Sequence, residues 1–444
     1  MASTTMDSNT NDGRDRLSEL PDEILVHILS FLPILDAIRT VLIRRLDNLW
    51  TLLPSLNFND TEYFKPENWH TGEIDYGEEI PHFARFMRNV LMFHKRVSID
   101  KFLLHFCNID MREDESSITD IKSWIRFAID RKVKELNVHF GYIVFDSILP
   151  CCIFTSQFLV KLELLGCKIE QLSQVQMRSL KILSLKYVEV ENKVLNKIIS
   201  GCSSLQVLAL AEIYELEKLR FSVPSIEKLY ITFDSDLLLD CPNVKILNIL
   251  FSSMPRLQVV DVSSLREVSI WSCDGIDEID ELFKRFCNVE VIKFYDESFQ
   301  QLIFQEQYFP QTRWKRLHIE SWAKEDLLFG FCIVLRNSPH LEELIIICNA
   351  PGRDLGVTND FNVLSSCVMP QLKTVIIRGY KVPCQGLLQL AEFLLKSSVN
   401  MEKMVILPSM YEPVVAEEFK FVKQLLSFPR ASSNARVIFG SEVY

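Results

Sequence analysis

The chain has little glycine, 13 residues in 444. Few loops of the kind that cradle phosphate groups can therefore form, and the GxGxxG, Walker A, GxSxG and HExxH signatures are all missing. Its eight histidines are scattered along the sequence and make no ligand pair at helical spacing. These absences argue against the common nucleotide-dependent and hydrolytic enzymes, and we expect no catalytic residue, no metal site and no cofactor.

The chain also lacks a surplus of positive charge and a long hydrophobic run. A formal net charge of −11 argues against nucleic acid or an anionic membrane as the main partner. Residues 1–14 are polar, unlike a secretory signal, and apolar runs such as 327–335 are too short to span a bilayer. The twelve cysteines are scattered, with no CxxC pair. We expect a reducing compartment, the cytoplasm and/or the nucleus.

Apolar residues are abundant near the N-terminus, in residues 15–56. Pro21 suits the first turn of a helix, and acidic Asp22 and Glu23 follow it. Apolar residues then recur at helical spacing until Pro33, and Asp36 is a candidate N-cap for a second helix that reaches Leu42. The segment carries more apolar surface than its own interior can bury, which favours docking on another protein. A helical cap on the following domain is the alternative.

This segment resembles an F-box in Leu20–Leu25, Ile28–Pro33, Asp36–Ala37 and Asn48–Thr51. The resemblance implies docking onto a SKP-type linker protein of a cullin-based (SCF) ubiquitin ligase. The segment departs from the family between Val41 and Asp47, where it is one residue short and has a leucine in place of a tryptophan. The residues expected to face the linker are Leu20, Pro21, Ile24, Leu25, Ile28, Leu32 and Pro33.

The rest of the chain is built on a repeat. The pattern apolar-x-x-apolar-x-apolar recurs twelve times, from Val133/Leu136/Val138 to Met401/Met404/Ile406, at intervals of about 24 residues. This is the spacing of leucine-rich repeats, whose short strands bury their apolar residues by stacking on their neighbours. We therefore expect an α/β fold: a leucine-rich-repeat solenoid, with a curved parallel sheet and outer helices, preceded by the small all-helical F-box module. Ile99/Phe102/Leu104 is a candidate earlier repeat.

The C-terminal part resembles the FBD domain found at the end of many plant F-box proteins with leucine-rich repeats. The resemblance lies in Pro370–Val375, Leu394–Lys396, Met401–Met404 and Leu426–Ser433. Two readings are open: a separate binding domain or, the one we favour, a repeat cap of two repeats, a long helix and a final strand. The expected divisions are F-box module 15–56, linker and helix 57–95, leucine-rich repeats 97–366, and FBD domain or cap 367–439.

These features predict a non-catalytic substrate-recognition adaptor of an SCF-type ligase that holds the linker and an unknown client protein. Four residues next to buried repeat positions are expected on the concave side and are candidate client contacts: Tyr230, Trp271, Tyr295 and His318. Alternatively, these rings stack on their neighbours along the sheet. Two other functions are open, a repeat scaffold that has lost the ligase and a small-molecule co-receptor. The latter would need a cationic pocket, for which only Lys228, Lys293 and Arg316 are available.

Overall fold

The computed structural model consists of two compact units, residues 1–189 with 201–204, and residues 190–200 with 205–444. The helices are α1 (Asp22–Leu29), α2 (Ile34–Arg39), α3 (Asp60–Tyr63), α4 (Tyr76–Phe93), α5 (Glu115–Asp130), α6 (Asn192–Ser200), α7 (Gln385–Ser397) and α8 (Val415–Ser427). The structure describes residues 19–63, 76–106, 115–141, 149–214, 225–233, 237–251, 257–272, 283–295, 309–321, 333–348, 368–379, 384–407 and 415–440.

The first unit begins with the N-terminal helical segment, by which we mean residues 19–53. Helix α1 begins directly after Pro21, as the sequence predicts, and Asp22 and Glu23 occupy its first turn. The predicted second helix is wrong at both ends. It begins after Pro33, so that Asp36 lies inside its first turn and not at the N-cap, and it ends at Arg39. Three 3₁₀ turns follow, at Thr40–Leu42, Arg44–Leu46 and Leu49–Leu52.

The departure from the F-box pattern coincides with these 3₁₀ turns. Leu46, which replaces the expected tryptophan, is buried. Asn48 takes a positive φ of 64° before the third turn, a conformation that asparagine tolerates better than most residues. Arg45 donates to the Asp22 carboxylate at 2.5 Å and to the Leu20 carbonyl at 2.7 Å, and so ties the second turn to the start of α1. The shortened stretch therefore folds as short 3₁₀ turns and not as one continuous helix.

A parallel sheet forms the rest of the first unit. Neighbouring strands pair in register, each with its successor along the chain, with crossovers such as α5 between the second and third strands. Along every strand buried apolar residues alternate with residues that are half-buried or exposed. The paired strands are β1 (Ser55–Asn59), β2 (Lys101–Phe106), β3 (Glu135–Phe140), β4 (Lys161–Leu165) and β6 (Ile182–Lys186), while β5 (Lys168–Ile169) and β7 (Glu189–Val190) are short.

Helices cover one face of this sheet. Phe58 on β1 meets Phe86 of α4 at 6.3 Å between ring centroids, and Phe83 of α4 meets Phe106 on β2 at 6.1 Å. Phe106 also stacks on Trp124 of α5 at 6.2 Å. We call the opposite face, whose side chains are half-buried or exposed, the open face.

The second unit repeats the same construction over ten described strands. A small two-stranded parallel sheet, β10 (Leu237–Asp240) with β12 (Leu257–Asp261), accompanies the main sheet. The main sheet runs, in register and in chain order, through β8 (Val207–Ala211), β9 (Lys228–Thr232), β11 (Ile246–Phe251), β13 (Glu267–Ser272), β14 (Val291–Tyr295), β15 (Arg316–Ser321), β16 (Glu343–Cys348), β17 (Thr374–Arg378), β18 (Lys403–Leu407) and β19 (Arg436–Phe439).

The repeat predicted from the sequence is confirmed strand by strand. Each of the twelve apolar patterns falls on one strand of the two sheets, and all of its apolar positions are buried. The imperfect copy at Ile99/Phe102/Leu104 forms β2. The C-terminal part continues the same ladder, with α7 between β17 and β18 and α8 between β18 and β19, two helices where the sequence suggested one long helix.

Candidate interaction surfaces

Helix α1 divides its apolar residues between two faces. Leu25, Val26 and Leu29 are buried within the first unit. Ile24 and Ile28, four residues apart on the other face, are both exposed. Just beyond the helix, Phe31 is 75% exposed, and its ring meets that of His27 at 4.9 Å. The exposed side of α1 thus carries apolar residues beside Asp22, Glu23 and His27, where a solvated helix would be polar throughout.

A second exposed apolar set follows α2. Val41, Leu42 and Ile43 occupy the first 3₁₀ turn and the residue after it, and none is buried. Leu42 is 89% exposed. Together with Ile24, Ile28, Phe31 and Leu32, these residues make seven exposed large apolar side chains within twenty residues. Such a cluster is typical of a protein interface.

The structure corrects one member of the predicted linker-facing set. Leu25 is fully buried, because it follows Ile24 by one position and so turns about 100° toward the core. Pro21, Ile24, Ile28, Leu32 and Pro33 are exposed and Leu20 is half-buried. The sequence did not single out Phe31 or Val41–Ile43, because an apolar residue gives no sign of which helix face it occupies until the helix ends are known.

The four predicted client contacts all lie on the open face of the second unit, but only three are neighbours. Trp271 on β13 pairs in register with Tyr295 on β14, and their rings stack at 3.4 Å between centroids with planes 9° apart. The His318 ring lies 5.5 Å from that of Tyr295. Tyr230 lies two strands from Trp271 along the sheet, in the register row of Asn248 and Ser269. The predicted stacking along the ladder therefore occurs, and it still leaves Trp271 41% exposed.

Burial favours the uncharged forms of the Tyr295 and His318 rings in this stack. Burial raises the pKa of the Tyr295 hydroxyl, and Glu320 and Glu267 add to the effect. Burial also lowers the pKa of His318, against the opposing pull of Glu320. Lys293, one of the three candidate pocket cations, donates to the Glu267 carboxylate at 2.6 Å, so its charge is already paired.

Six aliphatic residues that the sequence did not single out cover the open face at the end of the sheet. Four of them occupy the same register position on β16, β17, β18 and β19, so that each pairs with the next. The other two, on β16 and β18, pair with Arg378 of β17 from either side. Each is half-buried or exposed. We call them the aliphatic patch: Ile345, Ile376, Val405 and Ile438 in the first row, and Ile347 and Leu407 in the second.

Polar side chains predominate on the open face of the first unit, although Leu103 lies between Asn57 and Asn137. His105 on β2 and His139 on β3 pair in register and stack at 4.3 Å between ring centroids. Asn57 and Asn137 lie in the neighbouring row, and their side-chain oxygens are buried without a hydrogen-bond partner, as is His105 Nε2. Burial lowers the pKa of both histidines, and at His139 the charge of His105 lowers it further.

Within the described ranges, no three histidine, cysteine, aspartate or glutamate side chains come together as metal ligands. Seven cysteines of the described ranges form no disulfide bond: Cys151, Cys152, Cys167, Cys202, Cys241, Cys287 and Cys384. Burial raises the pKa of Cys167, Cys202 and Cys241 to about 12, which leaves their thiols unreactive. None of the described helices combines the length and the apolar character needed to cross a bilayer. Two features of the sequence lie outside the described residues: the acidic run 277–281, which lacks the spacing of an EF-hand calcium loop, and Cys273, at the cysteine position of the repeat that begins at Leu265.

Comparison with known proteins identifies two parts of the chain. Residues 121–236 match the leucine-rich repeats of FBD-associated F-box protein At5g56370. Residues 364–406 match the FBD domain. The matched ranges contain, among others, strands β3 to β9 of the ladder and, at the other end, β17 with α7.

The similarity to individual proteins runs over most of the chain. F-box/FBD/LRR-repeat protein At5g56420 of Arabidopsis thaliana is 27% identical over 96% of this chain and 99% of the relative. FBD-associated F-box protein At5g56380, from the same plant, is 27% identical over 96% of this chain and 100% of the relative. A putative F-box/LRR-repeat protein, At5g41840, is 34% identical over 45% of this chain and 37% of the relative.

Together, the parallel ladder and the repeat match define a leucine-rich-repeat protein with an α/β fold. The FBD match and the full-length relatives then confirm the more particular resemblance seen in the sequence, to plant F-box/leucine-rich-repeat proteins with a C-terminal FBD domain.

Proposed function

We propose that this chain is a non-catalytic substrate-recognition adaptor of an SCF-type ubiquitin ligase, which binds a SKP-type linker through residues 15–56 and a client protein through the repeats. The observation that carries the proposal is the apolar exposure of the N-terminal helical segment, where Phe31 is 75% and Leu42 89% exposed. The F-box relatives supply the kind of partner. Ubiquitin chemistry belongs, in this account, to other subunits.

The proposed linker surface consists of residues that are exposed, apart from the half-buried Leu20. Leu20, Pro21, Ile24, Ile28, Leu32 and Pro33 remain from the sequence prediction, and Phe31, Val41, Leu42 and Ile43 join them. Burial of apolar surface would drive the contact at about 25 cal/mol per Å², before the cost of association is subtracted. In interfaces of this kind a few large, central side chains carry most of the binding free energy.

We also propose that the chain is divided into four functional parts. These are a helical module at 15–56, a linker and helix at 57–95, repeats at 97–366 and an FBD cap at 367–439. The client would lie on the open face of the repeats, where the solenoid arrangement leaves side chains free of the covering helices. The Trp271–Tyr295 stack supports this position, because large exposed aromatic rings are common anchors of interfaces. The pairing of Lys293 with Glu267 makes a cationic small-molecule pocket less favoured.

A pull-down of the full chain with a purified SKP-type linker tests the first half of the proposal. The variant Ile28→Glu/Leu42→Glu places two charges on the proposed surface, so we expect linker binding to fall at least about tenfold. Val97→Glu is the matched control, because Val97 is a 76%-exposed apolar residue of the same unit outside the helical segment. If the wild-type chain does not bind the linker, or if both variants lose binding equally, the proposal is wrong.

A further inference from the structure

The strands that carry the FBD match present the most apolar part of the described sheet to solvent. Strand β17 and most of β18 fall within residues 364–406, and β16 and β19 pair with them on either side. On their buried face these strands follow the repeat pattern, with Val375, Ile377, Met404 and Ile406 buried. Their open face carries the aliphatic patch. In a sheet whose open face only meets water, polar residues would be expected at these positions.

The aliphatic residues are arranged as a surface and not as isolated exposures. Ile345, Ile376, Val405 and Ile438 occupy the same register position on four successive strands. Since neighbouring strands lie about 4.8 Å apart, the row is about 14 Å long. An extended peptide advances about 3.3 Å per residue, so a segment of about five residues spans it.

The charged residues on the open face of these four strands are mostly positive, although the chain as a whole has a formal net charge of −11. Lys403 pairs in register with Arg436 at the start of β18 and β19, and both side chains are exposed. Arg378 lies between Ile347 and Leu407 in the second row. Glu343 at the start of β16 is the one acidic residue among the described open-face positions of these four strands. Such a surface attracts a segment of opposite charge.

A cavity of about 530 Å³ adjoins the amino-terminal edge of the same strands. The turns that precede β17, β18 and β19 line it with amide and hydroxyl groups, including those of Gln371, Asn400 and Ser433. Three charged side chains also line it, Glu402 and the ion pair of Lys373 with Glu342 at 3.1 Å. Polar residues that flank a bound apolar segment can be accommodated there by hydrogen bonds.

From these observations we infer that the open face of β16 to β19 binds a short extended segment of the client in which aliphatic residues are flanked by aspartate or glutamate. The inference deepens the proposed function and rests on it, because it assumes that the repeats bind a client. It assigns to the FBD-matched strands a binding role in addition to closing the sheet.

A peptide-display selection on the full chain tests the inference. A library of random ten-residue peptides is selected on the immobilised wild-type chain, and the enriched peptides are expected to hold aliphatic residues next to acidic ones. Enrichment of basic or charge-free peptides, or the absence of any enrichment, would overturn the inference.

The charge-reversal variant Lys403→Glu/Arg436→Glu sharpens the test. The most enriched wild-type peptide, made synthetically, should bind this variant at least about tenfold more weakly, because two attractive contacts become repulsive. The matched control is Lys420→Glu/Lys423→Glu, which changes the net charge equally on two exposed residues of α8. Equal loss in the two variants would mean that only the net charge matters, and would overturn the inference.

Two further variants separate this inference from the proposed function. Ile376→Thr/Val405→Thr keeps β-branched side chains and removes apolar surface, so peptide affinity should fall several-fold with little change in melting temperature. If instead Trp271→Ala/Tyr295→Ala abolishes peptide binding while the threonine variant retains it, the client site lies at the aromatic stack. That result overturns the present inference and leaves the proposed function standing. Linker binding, measured on the same samples, should be unchanged throughout.

Discussion

The open faces of the two units carry different types of side chain, although their buried faces carry the same apolar repeat. The first unit presents the stacked pair His105–His139 beside Asn57 and Asn137. The second presents the Trp271–Tyr295 stack and, farther along, the aliphatic patch. In both units the residues between these positions are buried aliphatic and aromatic side chains.

This difference distinguishes the buried residues, which stabilise the fold, from the open-face residues, which can bind a partner. Buried repeat positions lose water contact in every strand and stabilise the sheet at about 25 cal/mol per Å² of apolar surface. Open-face positions are not covered by helices, so their side chains can contact a partner. The aromatic stack and the aliphatic patch of the second unit therefore point to binding, and the mostly polar open face of the first unit does not.

The largest expected effect comes from a matched pair of tryptophans in the second unit. Trp314 is fully buried, and its indole N–H donates to the Phe286 carbonyl at 2.9 Å. Trp314→Ala should reduce the free energy of unfolding by about 3–5 kcal/mol, because it leaves a cavity and an unpaired carbonyl. Trp271→Ala should cost at most about 1.5 kcal/mol, since it removes only a stack on the open face. Urea unfolding of both variants checks the comparison, and equal losses would contradict it.

A second matched pair applies the same comparison to helix α1. Leu25→Ala removes a fully buried side chain and should cost about 2–5 kcal/mol. Ile28→Ala removes an exposed one and should change the free energy of unfolding by less than about 0.5 kcal/mol while it weakens linker binding. Denaturant unfolding and linker affinity are measured on both. A large loss of stability in Ile28→Ala would place that residue in the core and remove it from the interface.

Acid sensitivity should be greater in the first unit. Burial lowers the pKa of His94, His105 and His139 there, and among the described histidines of the second unit it lowers that of His318. A histidine whose pKa is lowered by folding takes up its proton first in the unfolded chain. The stability it contributes is therefore present above the unfolded value, about pH 6.5, and is lost as the pH falls toward the folded value.

Hydrogen exchange at pH 7.5 and pH 5.5 measures this difference unit by unit. The strands of the first unit should lose more protection at pH 5.5 than those of the second, after correction for the intrinsic exchange rates. His105→Gln/His139→Gln should reduce that loss, and His318→Gln should leave it unchanged. Greater acid loss in the second unit would show that the stacked histidines do not control the effect.

The smallest expected effect concerns the polar open face itself. The Asn137 side-chain oxygen is buried without a partner, so Asn137→Val exchanges an unsatisfied polar group for a β-branched apolar one. We expect stability to change by less than about 1 kcal/mol, in the stabilising direction, as measured by thermal unfolding. A loss above about 2 kcal/mol would mean that this asparagine has a partner essential to the fold.

Periodicity predicted the buried half of the ladder well, because each strand must bury the same three positions to pack against its neighbours. It missed β1, although Leu53, Leu56 and Phe58 follow the pattern, since those residues were assigned to the end of the helical segment and to a linker. The helix ends near Pro33 and Arg39 could not be placed, because the choice between a helix and 3₁₀ turns depends on contacts such as Arg45 with Asp22.

The candidate surfaces were less predictable than the fold. Tyr295 and Trp271 were selected as aromatic residues next to buried positions, but their stacking follows from the β13–β14 register. The aliphatic patch was missed because Ile345 or Val405, taken singly, looks like part of a buried strand. Only the alignment of four strands shows that these residues share the face opposite to the core.

The adaptor account depends most directly on the affinity of the full chain for a purified SKP-type linker, measured by titration calorimetry. The account predicts saturable one-to-one binding by the wild-type chain, weakened at least about tenfold by Phe31→Glu/Leu42→Glu and unaffected by Val97→Glu, with all three proteins melting at similar temperatures. No measurable binding by a folded wild-type chain would contradict it.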